Sequence, residues 1–232
     1  MATEPTAQEP GALSTLVSRP AFWVVAVALL AALPLWRMLR PPGDSLPVPA
    51  PPASPEAKVA PGPLPVLSTV PDFVFTDSEG RPFRSSALRG KVWVASLGFT
   101  RCTRDCPAIA AAMRQLQARS GGLGDAFQLV SFTVDPDYDL PSVLKTHAAS
   151  LQAGVRWHFL TADRADLEEV IIGGLQQPMD KKGDDPMSIS HGEQLVLVDQ
   201  RHQVRGLYAA QAPGAVDQVL RDAARLLNEG QG

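Results

Sequence analysis

The sequence predicts an α/β fold with a mixed sheet, and three features carry that prediction. From about Val70 onward, short apolar segments alternate with amphipathic ones. Lys91 to Phe99 holds the nearly continuous apolar run V-W-V-A-S-L-G-F, which suits a central strand buried on both faces. Gln194–Val198 and Gln203–Tyr208 read as two strands joined by the turn Asp199-Gln200-Arg201-His202, which adds a strand pair to the strand–helix order.

The elements are arranged in order along the chain. Phe73-Val74-Phe75, the turn Ser78-Glu79-Gly80 and Arg81-Pro82-Phe83 open the domain as a hairpin. After the central strand, Ala108, Ile109, Ala112, Met113 and Leu116 recur at helical spacing, with Pro107 suited to the first helical position. Phe127 to Val134 is the next strand, Leu140 to Ala149 the next helix and Trp157 to Leu160 another strand. Asp163 can cap a helix that runs to about Ile172 and ends at Gly173-Gly174. Val216 to Leu227 forms a final amphipathic helix.

Upstream, the composition changes twice. Residues 1–20 form an N-terminal tail, and 21–40 hold a membrane anchor. Ala21 to Trp36 is uncharged, with Arg19 before it and Arg37 and Arg40 after it, and Trp23 and Trp36 suit the two interfaces. A cleaved signal peptide is the competing reading, but Arg37 and Arg40 stand where a small-residue cleavage site belongs. One Arg before the span and two after it leave the orientation open. Residues 41–68 form a linker. Ten residues from Pro41 to Pro65 are proline, so this stretch builds no core and serves as an extended, semi-rigid spacer. Residues 69–232 remain for one folded domain, which the 45% apolar content can support.

A formal net charge of −3 with no long run of Lys or Arg lacks the footprint of a nucleic-acid binder. Two cysteines alone exclude a disulfide-stapled mini-domain and a four-cysteine zinc module. Cys102 and Cys106 sit in F-T-R-C-T-R-D-C-P, just beyond the carboxyl end of the central strand, where α/β proteins place their sites. The helix N-terminus, Arg101 and Arg104 are expected to lower both thiol pKa values. Three residues separate the cysteines, one more than in thioredoxin-type oxidoreductases, which gives a wider bite suited to a shared metal ion.

With C-T-R-D-C-P after an apolar strand and S-H-G-E-Q-L-V-L-V-D far downstream, the chain resembles the Sco/SenC family of copper proteins. T-V-D-P-D-Y-D-L-P at Thr133 to Pro141, the opening hairpin and the single anchor belong to the same likeness. The resemblance implies a thioredoxin-like fold with an added N-terminal hairpin, preceded by one transmembrane helix. It also implies a copper ion held by Cys102, Cys106 and His191, and a partner in the copper-site subunit of cytochrome c oxidase. That subunit receives copper or has its cysteines kept reduced. The soluble domain is then expected in the periplasm or an intermembrane space. The chain departs from the family pattern at Thr103, where Pro is usual, at Asp137-Tyr138-Asp139-Leu140, and in the Ser-Ile-Ser lead-in to His191.

Two thiolates and an imidazole accept copper in either common oxidation state, hard ions prefer carboxylates, and zinc fits the donors as well. His147, His158 and His202 read as structural. His191 comes after the polar stretch D-D-P-M-S-I-S and precedes a strand, so its aim is free of strand register. Met179 and Met187 read as packing residues, and Asp135, Asp137, Asp184 and Asp185 as turn residues and caps. The first reading is a metallochaperone that needs no turnover chemistry. The alternative is a thiol–disulfide oxidoreductase in which Cys102 and Cys106 are the redox pair and His191 is dispensable. A peroxiredoxin-type peroxidase fits poorly, because Thr100 stands two residues before Cys102.

Overall fold

The computed structural model describes residues 62–183 and 185–229. The expected anchor at 21–40, most of the linker at 41–68 and the side chains of Asp184 and Met187 lie outside the described residues. Among the described residues, no helix is long and apolar enough to cross a membrane.

The chain runs through β1 (Ser68–Thr69), β2 (Val74–Asp77), β3 (Pro82–Arg84) and β4 (Val92–Gly98) into helix α1 (Cys106–Arg119). Next come β5 (Phe127–Thr133), α2 (Pro141–Ser150) and β6 (Trp157–Thr161), then α3 (Arg164–Glu168), which continues as a π-helical turn over Glu169–Gly174. β7 (Met179–Lys181), β8 (Ile189–His191), β9 (Gln194–Val198), β10 (Gln203–Ala209) and α4 (Ala215–Glu229) complete it. The main sheet has the order β1-β10-β9-β4-β5-β6-β2-β3. β4, β5 and β6 are parallel, while β9, β10 and the β2–β3 hairpin pair antiparallel. The expected mixed sheet is therefore present.

Strand alternation builds two cores, one on each face. From β4, Val92 and Val94 join Ile109, Met113 and Leu116 of α1 and Val219 of α4. Trp93, Ala95 and Leu97 face the other way, toward Phe73, Phe75 and Ile171. All five β4 residues from Val92 to Ser96 are at most 3% exposed, and burying each large apolar side chain contributes about 1.5–3 kcal/mol. β4 is thus fixed at the centre, and its carboxyl end is a rigid platform for the loop that bears Cys102.

Residues 62–68 already belong to this unit. Arg205 donates to the carbonyls of Leu64 and Pro65, Arg225 donates to the carbonyl of Gly62, and β1 pairs with β10 at Ser68↔Val204. At two helix starts the local detail differs from the sequence pattern. α1 begins at Cys106, so Pro107 takes its second position, and Asp163 precedes α3 without a capping hydrogen bond from its side chain.

The main difference is β7–β8, a separate antiparallel hairpin in the stretch that reads as a polar loop. Each arm has three residues, too few for a periodicity signal. The arms nonetheless alternate cleanly: Met179 and Ile189 are buried in the core, while Asp180 and Ser190 are exposed.

Candidate metal centre

The turn after β4 carries the cysteines. The Cys102 amide donates to the Phe99 carbonyl at 3.1 Å, which folds the loop back so that Cys106 opens α1 directly above the strand end. Gly98 is close enough that a Cβ there would meet Cys106 Sγ at 3.6 Å, so the sulfur rests against the strand. Both cysteines are free thiols, partly buried against the same core face as the β7–β8 hairpin.

His191 ends β8 opposite Met179. Strand register therefore does fix its direction, contrary to the expectation from the polar lead-in: Ile189 points into the core, Ser190 out, and His191 in again. Its ring meets Phe99 edge-on at 5.9 Å. His191 Nδ1 lies 2.9 Å from the Gly192 carbonyl, which can only accept, so that nitrogen carries the proton. A neutral ring in this tautomer turns the Nε2 lone pair toward Cys106 Sγ, 3.4 Å away. Cys102, Cys106 and His191 bring one donor atom each to within 4.8 Å of one another, and they form the one such cluster among the described residues.

The expected lowering of both thiol pKa values is not what the structure supports at Cys106. Burial pushes that thiol up, and the neighbouring Cys102 sulfur and the Asp105 charge act in the same direction. The arginines do not offset this because they are engaged elsewhere. Arg101 donates to Asp135 through Nε at 2.9 Å and Nη2 at 2.6 Å, with its guanidinium over the Tyr138 ring, and Arg104 reaches toward the Ile189 carbonyl at 3.5 Å. Without a metal, Cys106 is a neutral thiol that can donate to His191 Nε2.

The loop after β5 supplies the supports. Asp139 is fully buried and accepts from the Thr100 amide at 3.0 Å, the Thr100 hydroxyl at 2.5 Å and the Thr133 hydroxyl at 2.6 Å. Asp135 is also fully buried and meets Arg101 and Lys181. Asp135 opens the turn that the sequence pattern implied, its carbonyl accepting from the Tyr138 and Asp139 amides, and its side chain is in addition the hub of a buried ion network. Asp137 remains exposed and pairs with Lys181 at 2.7 Å. Sequence reasoning missed Asp139, Lys181 and Gln177. The acidic segment itself is visible in T-V-D-P-D-Y-D-L-P, but apart from Thr133 the partners of Asp135 and Asp139, namely Thr100, Arg101 and Lys181, lie 34 to 46 residues away.

The other histidines are in structural settings. His158 lies within β6 near Gln128 and Phe83, His147 stands edge-on to Phe159, and His202 is buried beside Trp93. None of these three histidines joins the three-residue cluster, and Met179 is a core residue.

Gly192 keeps this corner tight. A Cβ there would lie 2.2 Å from Gln177 Oε1 and 3.1 Å from Gln177 Cβ, and Gln177 is buried. Gly192→Ala is expected to cost about 1–3 kcal/mol by overpacking, read as a lower urea midpoint with unchanged slope.

Comparison with known proteins gives a consistent result. The model of the SCO1/SenC family matches residues 64–228. A SCO1/SenC family lipoprotein from Bacillus anthracis is 32% identical, with TM-score 0.63, 68% of this chain and 95% of that chain covered. BsSco, described by a disulfide switch and as a member of the Sco family of cytochrome c oxidase assembly proteins, is 26% identical, with TM-score 0.63 and coverage of 72% and 98%. ScoI of Bradyrhizobium japonicum with copper bound is 20% identical, with TM-score 0.60 and coverage of 69% and 100%, and shares the fold.

Proposed function

This chain belongs to the SCO1/SenC family, and from that premise we propose that it is a copper-binding protein of cytochrome c oxidase assembly that carries one copper ion as cargo. Cys102, Cys106 and His191 would hold the ion. The observation behind this reading is the convergence of three donor atoms within 4.8 Å, two of them soft sulfurs and one a borderline imidazole nitrogen. No carboxylate joins that cluster, which disfavours hard ions. An open three-donor set leaves room for an acceptor's ligands to take over the cargo by exchange.

The rest of the assignment comes from the family. The acceptor would be the copper-site subunit of cytochrome c oxidase. Residues 21–40 would anchor the chain as a single span, residues 41–68 would hold the domain off the bilayer, and 69–232 would work in the periplasm or an intermembrane space. The Bacillus anthracis relative is described as a lipoprotein, which is also a membrane-attached form.

The test is a Cu(I) titration of the full-length chain in mild detergent under reducing conditions. One equivalent is expected to bind, and Cys102→Ala or Cys106→Ala to abolish stoichiometric binding. Because the bound form is thiolate and Cys106 is otherwise held protonated, uptake releases protons and apparent affinity rises with pH. A parent chain that takes up no copper would sink the reading.

The two adjacent free thiols favour a second reading. Cys102 and Cys106 would close into a disulfide, passing two electrons and two protons to a partner disulfide, which opens to two thiols. The disulfide switch described for BsSco is in keeping with it.

A further inference from the structure

We propose that Lys181 is a positioning residue for His191, clamping the β7–β8 hairpin to the same buried carboxylate that holds the cysteine loop. Asp135 is the shared group. One of its oxygens accepts from Lys181 Nζ at 3.0 Å, and the other accepts from Arg101, the residue next to Cys102. The loop bearing Cys102 and the hairpin bearing His191 are thus referenced to one carboxylate that is itself 0% exposed.

Burial decides which contacts matter. The Lys181 side chain is 10% exposed, Asp135 is 0% and Asp137 is 76%, so the Asp135 contact is shielded from water and the Asp137 contact is not. A second ionic contact of the hairpin, Lys182–Asp180, spans 3.9 Å with both side chains exposed and restrains little. Arg104 offers a second link through the Ile189 carbonyl, but at 3.5 Å and from an exposed side chain. Lys181 is therefore the main charged tie between this hairpin and the loop after β5.

The register explains how the tie reaches the site. Lys181 pairs with Ile189 and Met179 pairs with His191, so Lys181 and His191 sit at opposite corners of the same inward face of a hairpin three rungs long. Met179 and Ile189 hold the other two corners of that face in the core. Releasing the Lys181 corner leaves two apolar contacts as a pivot, and the imidazole then swings relative to Cys106. The functional consequence rests on the copper reading above, whereas the effect on the hairpin does not.

The experiment compares the full-length parent with Lys181→Met, Lys181→Arg and the exposed control Lys182→Met. It measures Cu(I) affinity, the absorption spectrum with Cu(II), and amide hydrogen exchange over residues 179–192 without metal. Lys181→Met is expected to lose about 10- to 100-fold in copper affinity, the range for groups that orient a metal-bound histidine. Its spectrum should move toward that of His191→Ala, and its hairpin should exchange faster. Lys181→Arg should recover most of the loss, and Lys182→Met should behave as the parent. If Lys181→Met does not fold, Asp135→Asn carries the same expectation. Parental affinity and exchange in Lys181→Met, or equal impairment in Lys181→Arg, would overturn the inference. If the parent binds no copper, the copper reading fails and exchange alone decides: faster in the Met variant supports the clamp, unchanged overturns it.

Discussion

Replacing His191 by alanine is expected to lower Cu(I) affinity by more than about 100-fold while leaving the fold and the cysteine couple intact. Loss of a mere outer partner of a metal-bound histidine costs about 10- to 100-fold, and His191 would supply a donor itself. The fold should tolerate the change. His191 is only partly buried, it ends a three-residue strand, and its side chain meets an edge-on ring, its own neighbour's carbonyl and, at 3.4 Å, the Cys106 sulfur. A stability loss below about 1 kcal/mol is expected, as for substitutions away from the core. The same variant separates the two functional readings. Disulfide closure needs the two sulfurs alone, so the Cys102–Cys106 couple should still cycle in a redox buffer. A His191→Ala chain that binds copper as the parent does would remove His191 from the ligand set and leave the dithiol reading in place. The measurements are a competition titration for copper and a thiol count against buffer potential.

How much of this was legible in the sequence depends on the distance over which each interaction acts. β4, α1, β5, α2, β6 and α4 announce themselves through local pattern, the central strands as apolar runs and the longer helices as apolar positions at helical spacing. The cysteine loop was legible for a related reason: its position beyond an apolar strand is set by neighbours in sequence. His191 was named through the resemblance, and the fold brings a nitrogen of its ring within 4.8 Å of the two sulfurs. Its aim was not legible, because the β7–β8 hairpin is too short to leave an alternation signal and is stabilised by Met179, Ile189 and Lys181 meeting residues far away in the chain. The same distance hid the direction of the Cys106 shift. From sequence, two arginines flank the loop; in the fold, Arg101 is committed to Asp135 thirty-four positions on, and burial is left to dominate.

Asp139→Ala is expected to destabilise the domain by about 2–4 kcal/mol, a far larger effect than its place in an exposed-looking acidic turn suggests. The carboxylate is fully buried and takes three hydrogen bonds, from the Thr100 amide, the Thr100 hydroxyl and the Thr133 hydroxyl. Removing it strands donors that were satisfied only there, at about 1–3 kcal/mol for each that stays dry. The Thr133 side is the drier, at 3% exposure, whereas Thr100 is partly exposed and can recover a water, which keeps the total below the sum of three. A surface pair gives the contrast. Lys145 and Glu79 meet at 2.7 Å with side chains 61% and 43% exposed, and Glu79→Gln should cost under about 1 kcal/mol. Urea unfolding of both variants decides the matter, and an Asp139→Ala midpoint no lower than that of Glu79→Gln would show that Asp139 is not a structural acceptor. The consequence extends to the site, because Thr100 lies two residues before Cys102 in the turn that Asp139 grips. The same variant should bind copper more weakly than the parent even where it is fully folded, since the loop holding Cys102 would then have lost the carboxylate that fixes its start to β5.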